Sequence, residues 1–330
     1  MVLKNKRVLV TGADGFIGSH LVERLVQEQA RVIALAQYNS FNSWGWLEDL
    51  PCLQAVEVKA GDVRDPHFCL KAAKDVDVIV HLAALIPIPY SYAAPQSYLE
   101  TNVGGTLNIC QAALANGVEK LIHTSTSEVY GTAQYVPVDE KHPLRPQSPY
   151  SATKIGADAV AVSFYCSYGL PVVIARPFNT YGPRQSARAV IPTIITQIAA
   201  GRREVALGGL AATRDFTFVA DTCEGLVAMA RMEGGWGEVF HIGSNQEIEV
   251  GELFRKIAGM MHSAAEPVTD PARVRPAASE VLRLRCDNTK LRAATGFEPG
   301  VSLDEGLART IRWFEQPENL GRYKESVYNI

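Results

Sequence analysis

The chain of 330 residues has no pair of cysteines at a metal-ligand spacing: its six lie scattered at 52, 69, 110, 166, 223 and 286. That excludes a zinc site built on CxxC and any disulfide framework, and it predicts buried free thiols in a reducing compartment. No apolar run is long enough to cross a bilayer, so no membrane partner is expected. The N-terminal residues pass straight into a strand without a signal peptide, and the cytoplasm is the expected compartment. The net charge is only -3, which gives no basic surface for nucleic acid. Internal repeats and low-complexity segments are also missing. With 47% hydrophobic and 20% charged residues, the composition is that of an ordinary globular protein. The length suits one large domain or two smaller ones.

The first ordered signal is a strand over Arg7–Thr11, then Gly12-Ala13-Asp14-Gly15-Phe16-Ile17-Gly18, then an amphipathic helix from Ser19 to about Glu28. Strand, glycine-rich turn and helix in this order form a dinucleotide-binding unit. Gly12 permits the tight turn, Gly15 lets backbone approach a pyrophosphate, and Gly18 lets the helix pack on the strand. The helix N-terminus then faces the phosphates. A second strand is predicted over Ala30–Leu35. The carboxylate that usually follows it to bind a ribose is absent: the chain reads Gln37-Tyr38-Asn39-Ser40. Asn39 or Ser40 can bond a ribose hydroxyl or tolerate a 2′-phosphate. No arginine nearby favours NADP, so NAD is preferred and NADP stays possible.

The aromatic run Phe41–Trp46 reads equally as a packed connection or as a flank for adenosine. Strand three is placed at Leu53–Val58, with Asp62 able to accept from an adenine amino group and Asp65 capping a helix before Pro66. Strand four, Val76–His81, is the uninterrupted apolar run of a parallel sheet. His81 reads as structural. The small residues Leu82-Ala83-Ala84 let a cofactor pass over the strand end. A proline-stiffened loop over 85–92 comes next, whose Ser91 either lines a sugar pocket or is structural. A long helix from Tyr98 to Asn116 carries Asn102.

A fifth strand, from Lys120, ends at Thr124-Ser125 and leads into Thr126-Ser127-Glu128. Some twenty residues later, Tyr150 and Lys154 stand at i and i+4, on one face of a helix. A lysine ammonium beside a phenol favours the phenolate, which gives a base for redox chemistry at a sugar carbon. Strand six is Val172–Ala175, ahead of Arg176-Pro177-Phe178-Asn179-Thr180-Tyr181-Gly182-Pro183-Arg184. The alternation of strands and helices predicts an α/β fold: a doubly wound parallel (Rossmann) sheet with a smaller C-terminal α/β substrate domain. The dinucleotide-binding domain is placed at 1–175 plus about 213–243. The nucleotide-sugar domain is placed at 176–212 plus about 244–330. Of the arginines after residue 175, Arg214 and Arg283 are the choices for a diphosphate.

These motifs together resemble the extended short-chain dehydrogenase/reductase family, over almost the whole chain. Thr126-Ser127-Glu128 looks like the nucleotide-sugar 4,6-dehydratases, whereas a C4-epimerase has a small or hydroxyl residue in place of Glu128. The stretches 38–46, 81–86, 125–135 and 182–196 are similar to dehydratases of the legionaminic acid pathway, which act on UDP- or GDP-N-acetylglucosamine. The dTDP-glucose dehydratases carry Asp where Ser127 stands, and the GDP-mannose dehydratases share Thr-Ser-Glu.

The resemblance implies that Thr126, Ser127, Glu128, Tyr150 and Lys154 are catalytic. It implies a cofactor held by Gly12, Gly15, Phe16, Ile17, Gly18, Asn39, Ser40, Asp62, Val63, Leu82, Ala83, Ala84, Asn102, Thr124, Tyr150, Lys154 and Pro177. It places a nucleotide sugar against Ser91, Thr126, Asn179, Arg184, Ile191, Arg214 and Arg283, with no metal. A homodimer is expected through a four-helix bundle of the two long helices. The rivals are a UDP-glucuronate decarboxylase, which shares Thr-Ser-Glu, another nucleotide-sugar dehydratase, and a dinucleotide-sensing protein without catalysis.

Overall fold

Seven short strands form a single parallel sheet. They are β1 (Arg7–Thr11), β2 (Arg31–Gln37), β3 (Val56–Gly61), β4 (Val78–His81), β5 (Lys120–Thr124), β6 (Val172–Pro177) and β7 (Val239–Ile242), in the order β7-β6-β5-β4-β1-β2-β3. The computed structural model describes residues 1–324 and 327–328. The β1, β4 and β5 strands are buried along nearly their whole length, as expected for strands covered on both faces by helices. In register, Thr11 lies beside His81, His81 beside His123, and Thr124 beside Ala175. The carboxyl ends of β1, β4, β5 and β6 therefore line up along one edge. Strand order reverses between β1 and β4, and the crevice at such a reversal is where open α/β sheets bind ligands.

Four of the helices that pack on this sheet are α1 (Phe16–Gln27), α2 (Gly105–Ala115), α3 (Pro149–Tyr168) and α4 (Val219–Arg231). The start of α3 is strongly specified. Ser148 and Ser151 form a reciprocal capping box, Pro149 occupies the first turn, and Gly169 closes the far end at φ 70°. Three two-stranded ribbons stand apart from the main sheet: Asn179–Tyr181 with Phe216–Phe218, Thr213–Arg214 with Ile248–Glu249, and Glu204–Leu207 with Glu266–Thr269.

Several boundaries differ from the sequence expectation. The first helix begins at Phe16, three residues early, because Gly15 already serves as its cap. Strand three starts at Val56, since Leu53–Ala55 winds into a 3₁₀ turn. Half of the proline-stiffened loop is a short helix, Ile88–Ala93. The helix expected over 98–116 contains a π-helical segment, Leu99–Gly104, immediately before α2. Phe216–Phe218 is buried, but it pairs with Asn179–Tyr181 and not with the main sheet. No described helix is long and apolar enough to cross a membrane.

Lys120 opens β5 with its side chain fully buried. Its ammonium donates to the carbonyls of Met229 and Ala230, both at 3.2 Å, and to that of Met232. It thus satisfies the last carbonyls of α4 at the negative end of that helix. Lys120→Met removes this cap while keeping the chain length. It should lower unfolding stability by about 1–3 kcal/mol, read as a drop in the urea midpoint.

Candidate active site

The glycine-rich turn is shaped by contact. A Cβ on Gly12 would sit 2.9 Å from the Ala83 nitrogen, and one on Gly18 would sit 2.1 Å from the Gly12 oxygen. Gly12 also has φ +65°, a backbone region that disfavours other residues. Gly15 differs: a Cβ there meets only the Gly12 oxygen, at 3.3 Å, and opens otherwise on free space. No side chain caps α1, so its first amides are left for a ligand. Phe16 and Ile17 sit half-buried in that first turn. The Thr11 hydroxyl accepts from the Leu82 and Ala83 amides at 3.1 and 3.0 Å and fixes the segment that crosses the end of β4. Asn102 accepts from the Leu85 amide at 2.8 Å and donates to the Leu85 carbonyl at 3.0 Å and to Thr153 at 3.1 Å. It thereby ties the same loop to α3. The Thr124 hydroxyl is buried with no partner, at the end of β5. An open glycine cradle, uncapped amides and an orphaned hydroxyl in line suit an extended dinucleotide.

At the far end of that line the reactive groups converge. Thr126 caps the 3₁₀ turn Ser127–Tyr130 by accepting from the Glu128 amide at 3.2 Å. Tyr150 comes from the first turn of α3, and the Lys154 ammonium, one turn later, donates to the Thr124 carbonyl at 2.7 Å. Burial among Ile88, Tyr98 and Leu85 pushes the Tyr150 phenol up, and the nearby Glu128 charge adds to the rise while hydrogen bonding from Thr126 opposes it. Lys154 is pushed down to about 8 by burial, opposed by the Asp158 carboxylate. The direct stabilisation of a phenolate by Lys154 is therefore not made in this state. The ammonium is engaged by backbone, and the phenol is held neutral by its apolar surroundings.

Arg214 is buried, donates to Glu280 at 3.3 Å, and feels the Glu128 charge. Arg275 lies 3.8 Å from the same Glu280 carboxylate and has a buried Nη1 without a hydrogen bond. The Asn179 carboxamide oxygen is likewise buried and unpartnered. Glu128 thus acts electrostatically on both the Tyr150 phenol and Arg214, whose neighbour Arg275 has a donor to spare.

The chain belongs to the GDP-mannose 4,6-dehydratase family. The family model of that description matches residues 9–310. The dTDP-glucose 4,6-dehydratase of Streptomyces antibioticus is 34% identical over 93% of this chain and 92% of its own length. A UDP-glucose 4-epimerase of Mycolicibacterium smegmatis is 35% identical over 93% of this chain and 98% of its own. Among solved structures, dTDP-glucose 4,6-dehydratase DesIV from Streptomyces venezuelae, with NAD and TYD bound, superposes with a TM-score of 0.87 at 34% identity. That match covers 96% of this chain and 99% of DesIV. The protein is accordingly an enzyme of the nucleotide-sugar 4,6-dehydratase family, an extended short-chain dehydrogenase/reductase.

Several residues expected at this family site have other engagements. Arg184 donates to Glu23 at 2.8 Å and to Ser19 at 3.3 Å, so its charge is spent on α1. Arg283 is half-exposed and bound by Glu247 at 2.9 Å. Ser91 is buried, and its hydroxyl donates to the Ile88 carbonyl at 2.7 Å. The Ile191 side chain lies in the main apolar core. Asn39 folds its carboxamide onto its own loop, accepting from the Phe41 amide at 3.0 Å and donating to the Ser43 carbonyl at 2.8 Å, while Ser40 is exposed. Asp62 is paired with Arg64 at 2.6 Å, which holds its carboxyl below the usual range. Val63 packs under Gly105, and Ala84 and Pro177 stay half-buried at their strand ends.

Others were not singled out from the sequence. The Tyr98 ring meets Tyr150 edge-on at 6.2 Å between centroids. Asp158 lies one turn beyond Lys154, a spacing that could have been read. Tyr98 carries no such signal.

The glycine contacts predict a contrast. Gly18→Ala forces backbone apart and should cost about 3 kcal/mol, seen as a lowered melting temperature. Gly15→Ala should leave melting close to the parent and instead crowd the open side of the turn.

Proposed function

We propose that the enzyme converts UDP- or GDP-N-acetylglucosamine to the 4-keto-6-deoxy sugar nucleotide, with retention at C5 and with NAD as the resident cofactor. The observation that carries the reaction type is a second titratable carboxylate, Glu128, close enough for its charge to act on the Tyr150 phenol. An epimerase needs no base at C5, and a dehydratase does. The N-acetylated sugar is supported by the likeness of residues 38–46, 81–86, 125–135 and 182–196 to the legionaminic acid pathway enzymes. The choice of NAD is supported by DesIV, which holds NAD in a fold of this shape, and by the lack of an arginine near Asn39 and Ser40.

Residues Gly12 to Gly18, Leu82 to Ala84, Asn102 and Thr124 hold the dinucleotide along the carboxyl edge of the sheet. When bound, the nicotinamide supplies hydride uptake from C4 and hydride return to C6. Tyr150 first releases its own proton to solvent, and the Lys154 ammonium stabilises the phenolate that results. That phenolate takes the proton of the C4 hydroxyl, and Thr126 bonds the C4 oxygen and places it. Once C4 is a ketone, the C5 hydrogen becomes acidic and Glu128 removes it. Water leaves from C6 with a proton from protonated Glu128, or from a water held by Ser127. A proton from solvent then returns to C5 while Tyr150 releases the one taken from the C4 hydroxyl, so one water is lost in all.

Arg214 and Arg275 bind the diphosphate where it faces the part formed by residues 176–212 and about 244–330, and Asn179 offers its free oxygen to a sugar hydroxyl. Two enzymes pair through α2 and α3, whose Leu107, Leu114, Tyr165 and Tyr168 are exposed.

Incubation with each nucleotide sugar, followed by mass spectrometry and proton NMR, tests the substrate. Loss of one water with a new C6 methyl signal is expected; loss of carbon dioxide from UDP-glucuronate instead would replace this reading with decarboxylation. Tyr150→Phe should lower turnover by ~10²–10⁴-fold with the fold intact. Turnover of the parent should also fall on the alkaline side near pH 8, where Lys154 loses its proton. The sign is set by its depressed value: the charged form persists only below that pH.

A further inference from the structure

A buried polar network underlies the reactive groups and takes no part in the proposed proton transfers. Asp158 and Arg176 are both almost fully buried. Arg176 Nη2 donates to Asp158 Oδ2 at 2.7 Å, and its Nε donates to the same oxygen at 3.2 Å. Asp158 also accepts from His123 Nε2 at 3.1 Å and from the Ser125 hydroxyl at 2.8 Å. The other arm of Arg176 donates to the Tyr130 hydroxyl at 2.6 Å, which meets His241 Nε2 at 2.6 Å.

The placement of these bonds is specific. Ser125 and Tyr130 bracket the turn that presents Thr126 and Glu128. Asp158 lies on α3, one turn beyond Lys154 and two beyond Tyr150. One helix face thus grips the end of β5 at successive turns, through Lys154 to the Thr124 carbonyl and through Asp158 to Ser125. We propose that Asp158, paired with Arg176, is a positioning residue that locks the Thr126–Glu128 turn opposite Tyr150 and sets the charge felt by Lys154.

Electrostatics agree with the geometry. The titratable groups coupled to Lys154 are Asp158 on α3, His81 on β4 and His123 on β5, with Arg176 on β6 bound to the same Asp158 carboxylate. Both histidines are pushed down by burial and are neutral at physiological pH. That leaves the Asp158 carboxylate as the anion that keeps Lys154 charged, and Arg176 as the cation that holds this carboxylate ionised. A buried pair of this kind is a poor source of net stability and a good source of fixed orientation.

The inference rests on the reading of Tyr150 and Lys154 as the reacting pair, so its test includes a signal that needs no turnover. Protein labelled with ¹³C-lysine is titrated by NMR, and the Lys154 resonance is assigned by its loss in Lys154→Arg. The parent midpoint is expected near 8. Asp158→Asn removes the anion and leaves Arg176 unpaired, so Lys154 should lose its proton about one pH unit lower. Arg176→Met takes away the cation that holds Asp158 charged, so it should move the midpoint the same way, and the double variant should match Asp158→Asn. Arg176→Met leaves a buried carboxylate unpaired and can fail to fold; Asp158→Asn and the double variant then carry the test.

Asp158→Asn should also lower kcat by about 10²-fold with KM held. An unmoved Lys154 midpoint in Asp158→Asn, or an unchanged kcat, overturns the proposal. If the midpoints move as expected while the parent makes no product, the charge coupling stands and the dehydratase reading falls.

Discussion

The site depends on how α3 is fastened to the end of β5. Its N-terminus is set by the reciprocal bonds of Ser148 and Ser151, and its inner face is anchored to the Thr124 carbonyl through Lys154. These contacts carry Tyr150 into an apolar niche against Tyr98. The same strand, two residues later, turns into Thr126 and Glu128. Because these groups come from both sides of one helix–strand junction, their separation is set by side-chain hydrogen bonds that tie α3 to the end of β5. That is the arrangement proton transfer requires, since small errors in donor–acceptor placement are costly.

Burial has opposite effects on the two partners. It pushes the Tyr150 phenol up and the Lys154 ammonium down, so each resists its charged form when considered alone. Taken together, a phenolate beside an ammonium relieves both penalties. The observed state, with the phenol neutral and the ammonium on a backbone carbonyl, is the resting arrangement of such a pair. Arg214 and Arg275 show a similar reserve around Glu280. Glu280 is shared between them, and one Arg275 nitrogen has no bond.

What could be read from the sequence was what neighbouring residues decide. The strand, turn and helix around Gly12, Gly15 and Gly18 are local, and the Tyr150–Lys154 spacing is set by helix geometry, so both were legible. Strand β7 was not, because four residues carry little periodic signal and its place is fixed only by pairing with β6. The arginines were the least legible. Arg184 and Arg283 look available in the sequence, yet Glu23 and Glu247, far away along the chain, claim them in the fold. Asn39 was visible as a polar residue at the right strand end, but only the folded loop shows its carboxamide turned back on Ser43. Asp158 stood four residues beyond Lys154 in plain view; its meaning came from Arg176, which arrives from another strand.

The central claim is a division of labour: Tyr150 serves oxidation at C4 and Glu128 serves the subsequent elimination. Mass spectrometry of a rapidly quenched single turnover, in Tyr150→Phe and Glu128→Gln side by side, tests it most directly. The account predicts that Tyr150→Phe holds unchanged substrate, while Glu128→Gln accumulates a keto sugar that still carries its C6 hydroxyl. Dehydrated product from Glu128→Gln at the parent rate, or keto sugar building up in Tyr150→Phe, would contradict it.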